Sequence, residues 1–196
     1  MRIFLAGVAC VGKTTVGARL ADLLQWPFFN LDSEMERHFN TSIERLRMRC
    51  LTSYAFSLAG AEVLKHILWR DDSGNCVIAL SPKGLMGGYW QVIRKMRDAF
   101  IVVLQDTPEN ILERITFYDI DSRLIQKSLT DEERKYYLKD IRADVAYFRR
   151  SFGRAHVSVE IAGCGPDAAA LKVKRALEAR EATAAAARFA PGTLQT

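Results

Sequence analysis

Near the N-terminus, Gly7-Val8-Ala9-Cys10-Val11-Gly12-Lys13-Thr14-Thr15 carries the spacing GxxxxGK[ST] directly after the apolar run Ile3-Phe4-Leu5-Ala6. Glycines in such a loop let successive backbone N–H groups curl around an anion, and the helix that follows adds unpaired N–H groups and its positive dipole end. Gly7, Cys10, Val11, Gly12, Lys13, Thr14 and Thr15 are therefore the candidates for cradling nucleotide phosphates. Lys13 is expected to reach the β- and γ-phosphates, and the Thr14 hydroxyl to ligate Mg²⁺. A carboxylate follows at Asp32, at the end of the short apolar run Phe28-Phe29-Asn30-Leu31. In an open α/β sheet that end of a strand is where ligands gather. Further on, from Thr116 to about Thr130, the hydrophobic period is lost and Asp119, Asp121, Ser122, Arg123 and Lys127 dominate. A loop of that length reads as a lid, and an arginine on it suits the neutralisation of a transferring phosphoryl group.

The elements that must position these groups alternate between strand and helix. After the phosphate loop, Val16, Leu20, Leu23 and Leu24 recur at helical steps up to Gln25, where Trp26-Pro27 stops the helix. Ser33 can cap the next helix, and Thr41 with Glu44 reads as a capping box for a helical stretch to about Arg70, broken around Leu51-Thr52-Ser53. Cys76-Val77-Ile78-Ala79-Leu80 and Phe100-Ile101-Val102-Val103-Leu104 are apolar throughout, as strands covered on both faces must be. The glycines at 87 and 88 lead into a helix to about Arg97, Thr107-Pro108 starts one to about Phe117, and Thr130 caps a charged helix to about Phe152. His156 to Val159 reads as a last strand, and Asp167 as the cap of a final helix. This order predicts a three-layer α/β fold with a parallel sheet, in one domain over residues 1–180. The Ala-rich tail from Glu181 to Thr196 reads as a frayed helix end followed by disorder.

Composition narrows the classes of partner. The chain has 196 residues, is 49% hydrophobic and carries a net charge of +5 with no dense basic block, which favours small anions over nucleic acid. Residues 123 to 154 hold nine Lys/Arg against five acids, so this segment accounts for most of the net charge. Cys10, Cys50, Cys76 and Cys164 are scattered without CxxC spacing, and His38, His66 and His156 do not cluster with them, which reads as reduced cytosolic thiol usage. No apolar run approaches about 18 residues, which argues against a membrane span and for a cytoplasmic protein.

Ile3-Phe4-Leu5 into the loop, Thr15-Val16-Gly17, Leu20-Ala21 and Phe28-Phe29-Asn30-Leu31-Asp32 resemble the opening of shikimate kinases, small P-loop kinases related to nucleoside monophosphate kinases. The likeness continues more loosely through Thr41-Ser42-Ile43, Ala61-Glu62-Val63-Leu64, Val77-Ile78-Ala79 and Thr107-Pro108-Glu109 to Glu113-Arg114. It implies a P-loop NTPase fold with a five-stranded parallel sheet, ATP and Mg²⁺ on the phosphate loop, an acceptor-binding helical segment and a closing lid. It also implies that Arg114 packs near the adenine, that Arg123 contacts the transferred phosphate, and that Asp32 grips the acceptor hydroxyl as the candidate base. This chain departs from the family at Asn30, where the first acid of an Asp-x-Asp pair is expected, and at Cys10, which replaces a loop glycine. The family's acceptor-binding arginine falls on Ser57 and its three-glycine acceptor loop on Ser81-Pro82-Lys83; Arg149, Arg150 and Arg154 are candidates for its distal arginine.

Taken together, the residues and the resemblance point to an ATP- and Mg²⁺-dependent phosphotransferase acting on a hydroxyl of a small metabolite, with shikimate as the acceptor the resemblance suggests. A kinase for another acceptor, such as a sugar acid or a nucleotide, and an ATP-binding regulatory protein without transfer activity stand beside it. No oligomer is specified.

Overall fold

Strands form here where apolar runs can be covered on both sides, and helices where one stripe faces the sheet. The computed structural model describes residues 1–189, and the side chains of residues 1–183. β1 (Arg2–Ala6) passes through the phosphate loop into α1 (Lys13–Leu24); β2 (Phe28–Asn30) runs straight into α2 (Leu31–Phe39), and α3 (Ile43–Arg49) and α4 (Ser53–Leu68) follow. Next come β3 (Cys76–Ala79), α5 (Gly87–Ile93), β4 (Ala99–Gln105) and α6 (Pro108–Leu112). The hairpin of β5 (Phe117–Tyr118) and β6 (Leu124–Ile125) precedes α7 (Asp131–Phe152), β7 (Val157–Glu160) and α8 (Pro166–Phe189).

Five strands make one parallel sheet in the order β2-β3-β1-β4-β7, with Ile3 paired to Val77 on one side and Phe100 on the other. Alternation along the strands separates two cores. Ile3 and Leu5 join Val77, Phe100 and Val102 under α1 and α8, whereas Phe4 and Ala6 join Ile78, Ile101 and Val103 under α2 to α5. Ile3, Phe4 and Leu5 are wholly buried, and each such side chain contributes about 1.5–3 kcal/mol on leaving water. From β1 the chain crosses to β2 at one edge of the sheet and returns through β3, and from β3 it crosses past β1 to β4 and then to β7 at the other edge, so the loop after β1 opens beside the point where the strand order reverses.

Several boundaries differ from the expectation, each for a local reason. Asn30, not Ser33, caps α2: its side chain accepts the Ser33 N–H at 3.1 Å. Asp32 is therefore a first-turn helix residue and not the end of a strand. Ser42, not Thr41, caps α3, and α8 begins at Pro166, one residue before Asp167. α5 and α6 are shorter than their periodicity suggests, because Lys95, Met96, Arg114 and Ile115 donate to carbonyls three residues back and tighten the helix ends into 3-10 turns. The 116 to 130 segment is organised at its tip: the Asp119 side chain accepts the N–H groups of Asp121 and Arg123, and Ser122 takes a left-handed φ of 60°. Thr107 and Thr130 cap their helices as expected, Thr130 in a capping box with Glu133. α8 continues as helix through Phe189, and the expected disorder after it falls on residues 190–196, outside the described residues. Among the described residues no helix is long and apolar enough to cross a membrane.

Candidate active site

The phosphate loop is bent by residues in the left-handed region: Gly7 at φ 145°, Cys10 at 58° and Gly12 at 106°. A Cβ on Gly7 would lie 2.8 Å from the Leu104 carbonyl oxygen and 2.8 Å from Val11 Cγ1, so space as well as φ demands glycine there. Cys10 holds its conformation without that freedom, at a cost of about 1–2 kcal/mol. Lys13, partly buried under the loop, donates from Nζ to the Gly7 carbonyl at 3.0 Å and the Val8 carbonyl at 2.7 Å. Burial lowers its pKa from 10.5 to about 8, with the charge of Asp32 and the Cys10 thiol opposing the shift.

Thr14 opens α1 beside Asn30. The Asn30 Nδ2 donates to Thr14 Oγ1 at 2.8 Å, and because its Oδ1 is committed to capping α2, the orientation of the amide is fixed. One lone pair of the threonine oxygen stays available. A loop of backbone donors with one hydroxyl and one ammonium fits a Mg²⁺–triphosphate, since Mg²⁺ takes oxygen ligands and keeps several waters.

Across from Lys13, Asp32 Oδ1 accepts a hydrogen bond from Ser81 Oγ. Ser81 is buried at the mouth of β3, and the Tyr89 ring lies buried behind it, with its hydroxyl 3.9 Å from Met35 Sδ. Burial, assisted by the Asp32 charge, pushes the Tyr89 phenol up to about 12. Ser57 takes a different course from a ligand-binding arginine. It is 6% exposed, donates to the Tyr54 carbonyl at 2.8 Å and accepts the Gly88 N–H at 3.3 Å. A Cβ on Gly88 would come within 2.8 Å of the Ser57 carbonyl, so α4 and α5 touch backbone to backbone here. The space for an anchoring arginine at this position is filled by α5.

Arg114 donates to Asp106, whose carboxyl is held below its usual range by hydrogen bonds from Asn110, Arg114 and the Thr107 N–H against the pull of burial; Arg114 also reaches the Val11 carbonyl at 3.4 Å. Arg123 is exposed on the hairpin, with its backbone tied to Asp119, and is not brought into contact with the phosphate loop. The hairpin tip instead docks on α2 and α3: Ser122 Oγ donates to Glu36, Ser42 Oγ to the Ile120 carbonyl, and Arg45 Nε to Asp121 Oδ1 at 2.7 Å.

Much of the basic excess in residues 123 to 154 is spent on ion pairs. Arg134 pairs with Glu113 and Arg142 with Glu109, both acids outside the segment, while Lys127 pairs with Glu133 within it. Arg154 donates to the Leu85 carbonyl and lies 5.0 Å from the Trp90 ring centroid, while Arg149 and Arg150 are exposed at the end of α7. In the Ser81-Pro82-Lys83 loop, Lys83 reaches Ser53 Oγ at 3.3 Å; burial and the Asp140 charge raise the Asp144 carboxyl above its usual range, with Lys83 opposing them. Asp140 and Asp144 line a cavity of about 200 Å³ with Val8, Cys10, Ile111 and Tyr137, between the phosphate loop and α7.

Sequence reasoning missed Ser81 as a partner of Asp32, Tyr89 behind it, Asp106 under Arg114, and Glu36 and Arg45 as anchors of the hairpin. Only Asp106 carried a usable local signal, lying eight residues before Arg114 at the end of a strand.

A family model described as shikimate kinase matches residues 9–152. The chain belongs to the shikimate kinase family. Shikimate kinases are small-molecule kinases that transfer a phosphoryl group to a hydroxyl, generally with ATP and Mg²⁺. The shikimate kinase of Aquifex aeolicus is 31% identical over 147 residues, which are 71% of this chain and 83% of that protein. The bifunctional shikimate kinase/3-dehydroquinate synthase of Thermotoga maritima is 31% identical over 120 residues, covering 59% of this chain, and the match spans only 22% of that longer protein. In fold, the shikimate kinase from Acinetobacter baumannii in complex with shikimate superimposes with a TM-score of 0.70 at 23% identity, over 91% of this chain and 93% of that one. The five-stranded parallel sheet flanked by helices is the shikimate kinase architecture.

Proposed function

We propose that this chain uses ATP and Mg²⁺ to phosphorylate a hydroxyl of a small metabolite, and that shikimate is the first acceptor to test. The observation that carries the reading is that Lys13 and Thr14, in the first turn of α1, and Asp32, in the first turn of α2, stand together beside the phosphate loop, with the Asp32 charge acting on Lys13. Gly7 to Thr15 would hold the phosphates through backbone N–H groups, with Lys13 adding a cation that the bound triphosphate returns to full protonation. When bound, Mg²⁺ would neutralise charge on the transferring group, with Thr14 as its protein ligand. Ser81 occupies Asp32 Oδ1 and so aims the carboxylate, leaving Oδ2 to take the proton of the acceptor hydroxyl. Arg114, braced by Asp106 and the Val11 carbonyl, presents a planar guanidinium against which a purine can stack. The hairpin would act as the lid, with Arg123 as its cation toward the transferred phosphate. The four unpaired thiols suit a cytoplasmic enzyme.

A second reading, a kinase for an acceptor other than shikimate, is favoured by one observation: Ser57 is locked against Gly88 where the family's acceptor arginine is expected. ADP release measured with shikimate and with a panel of hydroxylated acids, sugars and nucleosides tests both. Transfer to shikimate supports the first reading, transfer only to another acceptor supports the second, and ATP binding without transfer to any acceptor leaves a regulatory protein.

A further inference from the structure

His38 lies in the last turn of α2, facing α4. Glu62 and His66 stand four residues apart on α4, one helical turn, and so share a face. Packing α2 on α4 brings the three together: His38 Nε2 is 3.9 Å from Glu62 Oε1, and the two imidazole centroids are 4.9 Å apart at an angle of 39°. One ligand atom from each residue lies within 4.8 Å of the other two. We propose that His38, Glu62 and His66 form a binding site for a divalent transition-metal ion of the zinc class.

The donor set selects the ion. Two imidazole nitrogens and one carboxylate oxygen, with the remaining position open to water, match zinc and its neighbours in the transition series. Mg²⁺ and Ca²⁺ prefer all-oxygen surroundings and are poorly served. A tetrahedral zinc site with bonds of about 2.0–2.1 Å places its donors about 3.3 Å apart. Closing from the observed spacing takes side-chain movements on the order of 1 Å, within the reach of exposed rotamers. The backbones already stand in place, because α2 is fixed by buried Leu31 and Met35 and α4 by buried Val63, Leu64 and Ile67. The plain alternative is a solvated His–Glu contact between two histidines that complement the ends of their helices, and it predicts the same weak zinc binding in the wild type and in the variants.

The site is separate from the nucleotide loop. Asp32 precedes His38 by six residues, about 9 Å along α2, and Ser57 precedes Glu62 by five, about 8 Å along α4. A bound ion would staple together the two helices whose other ends carry Asp32 and Ser57, without touching a reactant.

The test is zinc binding to the tag-free full chain without nucleotide, by calorimetry, with Co²⁺ absorption as a second probe. The expected result is one ion per chain, a rise in melting temperature with Zn²⁺, and binding at least about tenfold weaker in His38→Ala and His66→Ala. Circular dichroism checks that each variant folds, and Glu62→Gln, which keeps the shape and removes the charge, carries the test if an alanine variant does not. Equal zinc affinity in the wild type and these variants overturns the proposal, as does a thiolate-to-cobalt charge-transfer band, which would move the ion to a cysteine. No binding by the wild type overturns it outright.

Discussion

Under the phosphate loop, Lys13 is the group whose protonation burial disturbs, and that ties nucleotide affinity to pH. Burial holds its pKa at about 8 instead of 10.5. A triphosphate beside the ammonium favours the charged form, so binding raises that pKa and takes up a proton between about pH 8 and 10.5. The sign follows: affinity for ATP is full below pH 8 and falls as pH rises through it. With a single group, about three-quarters of Lys13 is charged at pH 7.5, about half at pH 8 and about one-tenth at pH 9, so the Kd should rise about 1.5-fold and then about eightfold relative to pH 7.5. Calorimetry above about pH 7.5, where ATP itself no longer titrates, reads both the Kd and, from buffers of different ionisation enthalpy, uptake of about half a proton at pH 8. Lys13→Met should bind more weakly with a flat profile. Cys10→Ser should keep the slope and so exclude the thiol in the same loop. A wild-type Kd unchanged to pH 9, or an equal slope in Lys13→Met, refutes the reasoning.

Three further outcomes follow from contacts at the site. Asn30→Asp keeps a good cap on α2 but replaces an amide donor to Thr14 with an acceptor, freeing a lone pair of the hydroxyl for the metal; the Mg²⁺ concentration for half-maximal turnover should fall severalfold, with Tm little changed. Ser57→Arg should not create shikimate affinity, because the side chain is enclosed by Gly87 and Gly88; overpacking should cost about 1–3 kcal/mol in urea unfolding, and a folded variant with a lower KM for shikimate would contradict the packing. Cys10→Gly should relieve the left-handed residue and stabilise the protein by about 1 kcal/mol, read by the same unfolding curves, whereas Gly7→Ala should destabilise it.

The parts legible in the sequence are those fixed by local pattern. The phosphate loop, the apolar strands β1, β3 and β4, and the caps at Thr107 and Thr130 each depend on residues within one turn of one another. Local pattern does not choose between two capping residues that compete in one turn, as Asn30 with Ser33 and Ser42 with Thr41; in each case the cap is the residue whose oxygen meets the third following N–H. The hairpin is not legible in the sequence because strands of two residues carry no periodicity, and its order comes from Asp119 and from docking on Glu36 and Arg45. Ser81 with Asp32 and His38 with Glu62 join residues far apart in the chain, and only the packing of α2 against β3 and α4 creates them. The likeness to shikimate kinases points to Gly7 to Thr15 as the nucleotide half of the proposed site, while the acceptor half depends on how Ser57, Arg154 and Lys83 pack.

The most direct measurement is ³¹P NMR of the full-length protein with Mg²⁺–ATP and shikimate, run beside Lys13→Met and Asp32→Asn. A shikimate kinase gives ADP and a new phosphomonoester resonance in equal amounts, with the signal lost in Lys13→Met and reduced by orders of magnitude in Asp32→Asn. ADP with inorganic phosphate and no phosphomonoester, or equal product from the Lys13→Met variant, contradicts phosphoryl transfer at this site.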